Sequence, residues 1–433
     1  MKRLPRLRQW LRRERQALVL RRLAARAAPA PAAGSRIVFL CEEFFHPDLR
    51  GFGGFGKTVK NIAQHFNAHT PDELRVALAI PQAMGAVSRP ELRCYHDTPV
   101  LLRPQASTAD AQTFDGYAQL LAGLEPKAFV SIDWYPSYLY PLCASPATPL
   151  VIWIHDPRDR AEWLRIAATP GELAFRNLGS AAELAALADE KAAAMRHLHA
   201  LARREPRRIV FATTARSLVP LARSTYRLPE LRAHWLPNPI ELPAPDGAVL
   251  SERPSLLFLG RLDPVKRPWI AFALARRHPD VDFLIAGQSH EPGLLAPWLE
   301  RYPPVPNLKL LGHVEDADKD RLLRSCWALL NTSVHEAEPV SFLEALSYAK
   351  PVISCHDPDG AVTRFGYPVG EVPGDGLDGD SLARFSAQIE RLMADEPERR
   401  RKGIEGMLDT RRHHSFESFR SHLAALFEVE RIA

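Results

Sequence analysis

The sequence predicts an α/β protein built from two doubly wound domains. Three observations carry that prediction. Short continuous apolar runs alternate with stretches of helical periodicity along most of the chain. The alternation restarts after a proline-rich break at Pro237-Asn238-Pro239 and Pro243-Ala244-Pro245. The 433 residues exceed what one compact domain holds, and they suit two domains of about 200 residues each.

Residues 1–34 read as an appendage. Leu4, Leu7, Leu11 and Leu18, with Trp10 beside them, recur at helical spacing among Lys2, Arg3, Arg6, Arg8, Arg12, Arg13, Arg15, Arg21, Arg22 and Arg26. Glu14 is the only acid there. Such a segment fits a basic amphipathic helix lying on an anionic membrane surface, or a tail or helix docked on the body. Ala28 to Gly34 then reads as a linker.

Ile37 to Cys41 forms the first buried-strand candidate. Val59, Ile62, Ala63 and Phe66 follow at i, i+3, i+4, i+7 on a helix. Val76 to Ile80, Phe129 to Ile132, Val151 to Ile154 and Ile209 to Ala212 continue the strands. Residues 181–204, rich in alanine and free of Gly and Pro, predict a long helix. The second half repeats the rhythm with Leu256 to Leu259, Phe283 to Ala286, Leu308 to Leu311, Ala328 to Leu330 and Pro351 to Ser354. Unbroken apolar strands imply parallel sheets covered on both faces. The domains are expected at 35–240 and 241–412, with a final helix in 413–433. That helix carries Phe416, Phe419, Leu423 and Leu426 on one stripe, so it must dock, but its stripe does not say on which domain. Ligands are expected in the cleft at the carboxyl ends of the strands.

Composition excludes several classes. Hydrophobic residues at 46% and charged residues at 25% are globular values. The net charge of +5 resides at the amino end, so no nucleic-acid partner is indicated. No run reaches the roughly 20 apolar residues of a membrane span, and the basic start lacks a signal peptide's apolar core. The five scattered cysteines form no C-x-x-C pair and read as reduced thiols of a cytoplasmic protein.

Gly51-Phe52-Gly53-Gly54-Phe55-Gly56-Lys57-Thr58 satisfies both G-x-x-x-x-G-K-[ST] and G-x-G-x-x-G. Both patterns need the first glycine close behind a strand, and here Glu42 to Arg50 intervene. The second candidate strand also ends at Ile80-Pro81-Gln82, without the acid of a dinucleotide site. What remains is a glycine-rich, helix-opening loop suited to an anion.

Two further stretches carry chemistry. Gly260-Arg261-Leu262-Asp263-Pro264-Val265-Lys266 puts two cations just past a buried strand, a fitting pair for a diphosphate. A surface ion pair with Asp263 is the plainer alternative. In His335-Glu336-Ala337-Glu338-Pro339-Val340-Ser341-Phe342-Leu343-Glu344, a helix is expected to open near Pro339, with Pro339 in its first turn. That places Glu336 on the preceding loop and Glu344 about one turn inside. A carboxylate such as Glu344 can accept two hydrogen bonds from a vicinal diol.

These residues resemble family 4 of the retaining glycosyltransferases, which have the GT-B fold of two Rossmann-like domains facing each other across a cleft. Gly260-Arg261…Lys266 matches G-R-x4-K, and Glu336…Glu344 matches E-x7-E. Lys350-Pro351-Val352-Ile353, Ile285-Ala286-Gly287, Leu311-Gly312-His313-Val314, Asn238-Pro239-Ile240 and Ile154-His155-Asp156 follow the family's order. Pro47…Gly53-Gly54 resembles its long first loop, and the likeness extends over roughly residues 36–420. Ala337 and Glu338 depart from the commoner Gly and apolar residue, and Pro339 offers no N–H.

The resemblance implies transfer of a sugar from a nucleoside-diphosphate donor to a glycan or lipid-linked acceptor with retained configuration, in cell-envelope polysaccharide synthesis. It implies no metal and no further cofactor. Arg261 and Lys266 would take the diphosphate and Glu344 the ribose. Glu336 would contact the donor sugar and His155 a sugar hydroxyl or the reacting carbon. Gly53, Gly54, Pro339, Val340 and Ser341 would line the donor site. Localisation would be cytoplasmic, with a peripheral membrane contact through residues 1–26. The alternatives are a P-loop NTPase or kinase using Gly51 to Thr58, and a non-catalytic scaffold that binds nucleotide sugar.

Overall fold

A computed structural model describes residues 34–428 except 45, 47–48, 50–53, 70–73, 81–88, 104–110, 169–179, 204–206, 245–249, 290–292 and 294. The predicted amphipathic segment and Gly51 to Gly53 of the glycine-rich stretch lie outside the described residues.

Two sheets form, as expected. The first comprises β1 (Arg36–Leu40), β2 (Arg75–Ile80), β3 (Glu91–Tyr95), β4 (Thr98–Leu102), β5 (Pro126–Ile132), β6 (Leu150–Ile154), β7 (Ile209–Thr213) and β8 (His234–Trp235). Its order is β3-β4-β2-β1-β5-β6-β7-β8. Alternate residues feed two cores. Ile37 and Phe39 pack with the helix Gly54–His69, while Val38 and Leu40 pack with the helices Ala111–Gly123 and Ala181–Ala202. The long helix is started by a reciprocal cap: Ser180 N donates to Glu183 at 2.7 Å, and Glu183 N donates to Ser180 Oγ at 3.3 Å.

One expectation needs correcting, because the sheet is not wholly parallel. β3 and β4 pair antiparallel at its edge. Their turn places His96 at φ 50° and Asp97 at φ 57°. Two left-handed residues match the twist of a tight hairpin. His-Asp lacks the Asn-Gly signature of such turns, so the hairpin left no mark in the sequence.

The second sheet, β9 (Ser255–Leu259), β10 (Asp282–Ala286), β11 (Leu308–Gly312), β12 (Ala328–Asn331), β13 (Val352–Ser354) and β14 (Gly366–Pro368), is parallel throughout, in the order β11-β10-β9-β12-β13-β14. Strand order reverses beside β1 and β5 in one sheet and beside β9 and β12 in the other. Such reversals open a crevice at the carboxyl ends of the strands.

The chain crosses between the domains twice. It leaves the first after β8 and returns between the helices Glu396–His413 and Phe416–Glu428. The crossings are tied together: His414 Nδ1 meets the Asn238 carbonyl at 2.9 Å, and Ile240 N donates to the His414 carbonyl at 2.9 Å. The final helix docks on the amino-terminal domain, where Phe416, Phe419, Leu423 and Leu426 join Phe66 and Trp153. Arg208 hydrogen-bonds the carbonyls of Leu426 and Phe427 at its carboxyl end. A second tie comes from Asp359 of the carboxy-terminal domain. It accepts from Arg216 N at 2.8 Å and Ser217 N at 2.6 Å, ahead of the helix Leu218–Tyr226.

Phe419 is 0% exposed. Phe419→Ala is expected to destabilise the protein by about 3–5 kcal/mol, the usual cost of a core Phe truncation. Denaturant unfolding measures it, and a surface-like loss under about 0.5 kcal/mol would contradict the docking described.

Candidate active site

The carboxy-terminal wall begins where β9 ends. Gly287 has φ +155°, and a Cβ there would stand 1.8 Å from the Gly260 carbonyl oxygen. Only glycine lets the ends of β9 and β10 approach this closely. The chain then turns around Asp263, whose carboxylate accepts from Lys266 N at 3.1 Å and pairs with Arg261 Nε at 3.2 Å. The plainer reading, an ion pair with Asp263, therefore describes the present contact of Arg261, although Asp263 is buried and not at the surface. The Arg261 side chain remains 45% exposed, at the cleft end of the strand.

Lys266 turns inward. Its Nζ donates to Glu336 Oε1 at 2.6 Å, and Asn331 Nδ2 and Ser333 Oγ donate to the same oxygen at 2.9 and 2.5 Å. Burial opposes ionisation of Glu336, but the Lys266 charge and the Lys266 and Ser333 hydrogen bonds outweigh it and hold the pKa at about 2. Glu336 is thus a fixed anion at neutral pH. It can accept hydrogen bonds or stabilise positive charge, but it carries no proton to give.

The loop that presents Ser333 is held by Arg267. This residue has a left-handed backbone, φ 45°, and is 1% exposed. Its guanidinium donates to the carbonyls of Thr332, Ser333 and Val372 at 2.8 Å each and of Gly374 at 3.1 Å. The side-chain bonds offset an uncommon backbone.

The helix Val340–Ser347 starts one residue later than expected. Pro339 occupies the cap position at φ −68°, ψ 125°, outside the first turn. Its ring cannot donate, so Val340 and Ser341 supply the leading N–H groups. Glu344 lies inside this helix, where Lys319 Nζ reaches its Oε1 at 2.6 Å. Glu338 leaves the cluster altogether: Asn238 Nδ2 donates to it at 2.9 Å, and burial pushes its pKa up to about 8. A cavity of about 330 Å³, lined by Trp235, Glu338, Phe342, Leu346 and His413, lies on the face of the helix away from Glu344.

The amino-terminal wall is organised by Asp133, at φ 50° after β5. Its Oδ1 accepts from His155 N at 2.7 Å and Asp156 N at 3.2 Å, fixing the turn that follows β6. His155 is 5% exposed. Its ring lies 4.3 Å from Trp153 and 5.2 Å from Phe55, centroid to centroid. Burial depresses its pKa to about 3, so the imidazole is neutral at working pH. Among the described residues, its Nε2 has no hydrogen-bond partner. A buried polar atom so placed calls for one. Gly54 opens the neighbouring helix and is exposed, with open space where a Cβ would stand.

The two walls meet at His335. Its Nε2 lies 2.7 Å from Asp156 Oδ1 and its Nδ1 2.5 Å from Glu162 Oε1. Arg158 clasps Asp156 with contacts of 3.0 and 2.5 Å. Burial works against the Asp156 charge, but Arg158 and His335 keep its pKa well below the usual carboxylate range.

The structure therefore brings Lys266 and Glu336 into direct contact and sets Arg261 at the same strand end. Glu344 joins a separate pair with Lys319. Sequence reasoning missed Asn331, Ser333, Lys319, Arg267 and the roles of Asp133, Asp156 and His335. The polar run Asn331-Thr332-Ser333 directly after an apolar strand was the available signal for two of them.

Residues 245–406 match the family model of glycosyl transferases group 1. No curated protein matches the chain in sequence. Among solved structures, HepE of Anabaena, in complex with UDP and glucose, is 15% identical with a TM-score of 0.60, covering 92% of this chain and 100% of that one. Sucrose-phosphate synthase of Thermosynechococcus elongatus is 13% identical with a TM-score of 0.58, covering 91% and 98%. WaaG, a glycosyltransferase involved in lipopolysaccharide biosynthesis, is 15% identical with a TM-score of 0.58, covering 90% and 99%. At these identities the likeness establishes the fold, which is GT-B.

Arg267→Met keeps much of the side chain's volume but leaves four carbonyls without their donor. It is expected to cost about 3 kcal/mol or more in denaturant unfolding, several times a typical single hydrogen bond. Wild-type stability would contradict the bracing role.

Proposed function

We propose that this chain, with a group 1 glycosyl transferase match in its carboxy-terminal domain and a GT-B fold, is a retaining glycosyltransferase. It moves a sugar from a nucleoside-diphosphate donor to a glycan or lipid-linked acceptor, without a metal or further cofactor. One observation carries the reading. Lys266, Asn331 and Ser333 converge on Glu336 at the reversal of the second sheet, and His155 carries an unpartnered buried nitrogen on the other domain.

In this reading Arg261 and Lys266 stabilise the charge that grows on the departing diphosphate. Preorganised cations of this kind supply several kcal/mol. They do the work a divalent ion does elsewhere. The first-turn N–H groups of Val340 and Ser341 add a helix terminus suited to an anion. Glu344 takes the ribose diol once Lys319 yields one oxygen. Glu336, already ionised, accepts from the donor sugar, and His155 hydrogen-bonds a sugar hydroxyl. Gly54 faces the donor from the opposite wall, and the resemblance assigns Gly53, which lies outside the described residues, the same role. HepE was also solved with UDP-glucose, which makes UDP the first nucleotide to test. WaaG's involvement in lipopolysaccharide biosynthesis supports an envelope glycan as product.

No helix among the described residues is long and apolar enough to cross a membrane. A peripheral contact with the cytoplasmic membrane face would fall to residues 1–26. The P-loop alternative fares less well, because the helix already begins at Gly54, which places Lys57 and Thr58 inside it and not at the junction where a phosphate loop ends. Release of nucleoside diphosphate separates a transferase from a non-catalytic scaffold.

Thermal stabilisation by UDP, GDP, ADP and dTDP identifies the nucleotide, since a ligand of the native state raises its stability. With the matching donor, Arg261→Ala and Glu344→Ala are each expected to lose most turnover while retaining the folded circular-dichroism spectrum. Wild-type rates in either variant would overturn the assignment.

A further inference from the structure

His335 stands one residue before Glu336 and is 5% exposed. Both of its ring nitrogens face carboxylates, Glu162 Oε1 at 2.5 Å and Asp156 Oδ1 at 2.7 Å. An ionised carboxylate only accepts, so a ring bonded through both nitrogens is an imidazolium. The partners belong to the other domain. Asp156 directly follows His155. Glu162 lies in the first turn of the helix Arg160–Ala167, which Asp159 caps. His335 itself extends the loop after β12 that carries Ser333 and Glu336.

One cation therefore joins the turn holding His155 to the loop holding Glu336. We propose that His335 is a positioning residue whose imidazolium sets the spacing of these two walls, so that sugar transfer requires His335 to be protonated. The inference rests on the reading of the cleft as a transfer site.

The surroundings favour the charge without removing its sensitivity to pH. Arg158 pairs with Asp156, and Arg165 pairs with Glu162 at 2.5 Å. Asp133 bears on Asp156 from β5, and His356 faces His335 from the loop after β13. Burial acts first and lowers the His335 pKa, but Asp156 and Glu162 reverse it and leave the pKa raised. The sign follows directly. The bridge is complete below the ordinary histidine value of about 6.5 and is lost as pH climbs through the raised value.

The test compares wild type, His335→Gln and Glu162→Gln in pH profiles of kcat, together with calorimetric affinity for the nucleoside diphosphate that the wild type releases. His335→Gln is expected to lower kcat at least tenfold at neutral pH. Nucleotide affinity should stay within twofold, because Arg261, Lys266 and Glu344 all belong to one domain. Glu162→Gln should match the wild type at low pH and move the alkaline limb toward acid by about one pH unit, the usual effect of losing one close opposite charge. An unchanged kcat in His335→Gln, or an unshifted limb in Glu162→Gln, overturns the proposal. If His335→Gln does not fold, the Glu162→Gln limb alone decides.

Nitrogen-15 histidine spectra of the wild type give a readout independent of turnover. The His335 ring should carry two protons at pH 6, and a neutral ring there overturns the bridge. Absence of nucleotide release from every donor would instead remove the functional reading, and the spectra would still decide the bridge.

Discussion

A carboxylate buried beside the end of a sheet must be paired, or it takes up a proton. Glu336 is paired by three donors on one oxygen, and much of the cleft's local architecture serves that arrangement. Lys266 reaches it because Asp263 fixes the turn after β9. Ser333 reaches it because Arg267 binds the carbonyls of its loop. Asn331 reaches it from the last residue of β12. The result is an anion in a half-enclosed site whose charge does not vary over the working pH range. Such fixed charge costs little reorganisation when new charge develops nearby.

The opposite wall follows another rule. His155 is kept neutral by burial, while His335, one residue from Glu336, is kept charged by two carboxylates. Two histidines in one cleft thus hold different protonation states because their neighbours differ. Burial dominates where no carboxylate contacts the ring. Charge pairing dominates where two do. The neutral ring has a nitrogen free to meet a hydroxyl, and the charged one has both nitrogens committed to holding the domains together.

Much of the fold was legible in the sequence, because buried parallel strands announce themselves as continuous apolar runs. β9, β10 and β12 were read nearly to their ends. The β3–β4 hairpin was not, since its turn uses His-Asp where Asn-Gly is the readable form. The final helix showed its apolar stripe but not its destination, which depends on Phe66 and Trp153, hundreds of residues away. At the cleft, the spacing of Glu336 and Glu344 was visible, but their partners were not. Lys319 and Glu344, or His335 and Asp156, meet only through tertiary contact. The glycine-rich stretch was legible only as a loop that opens a helix, and a helix does open at Gly54. Its pattern fits two phosphate motifs, yet Lys57 lies inside the helix Gly54–His69 and stands 3.7 Å from Glu315 of the second domain.

The central claim is that this cleft holds a nucleotide sugar with its diphosphate on the carboxy-terminal domain and its sugar between Glu336 and His155. A crystal structure with the stabilising nucleoside-diphosphate sugar tests it most directly. The account predicts the diphosphate against Arg261 and Lys266, the ribose on Glu344 and a sugar hydroxyl within hydrogen-bond reach of His155 Nε2. A nucleotide bound instead at Lys57 and Thr58, with Glu336 and Glu344 untouched, would contradict it.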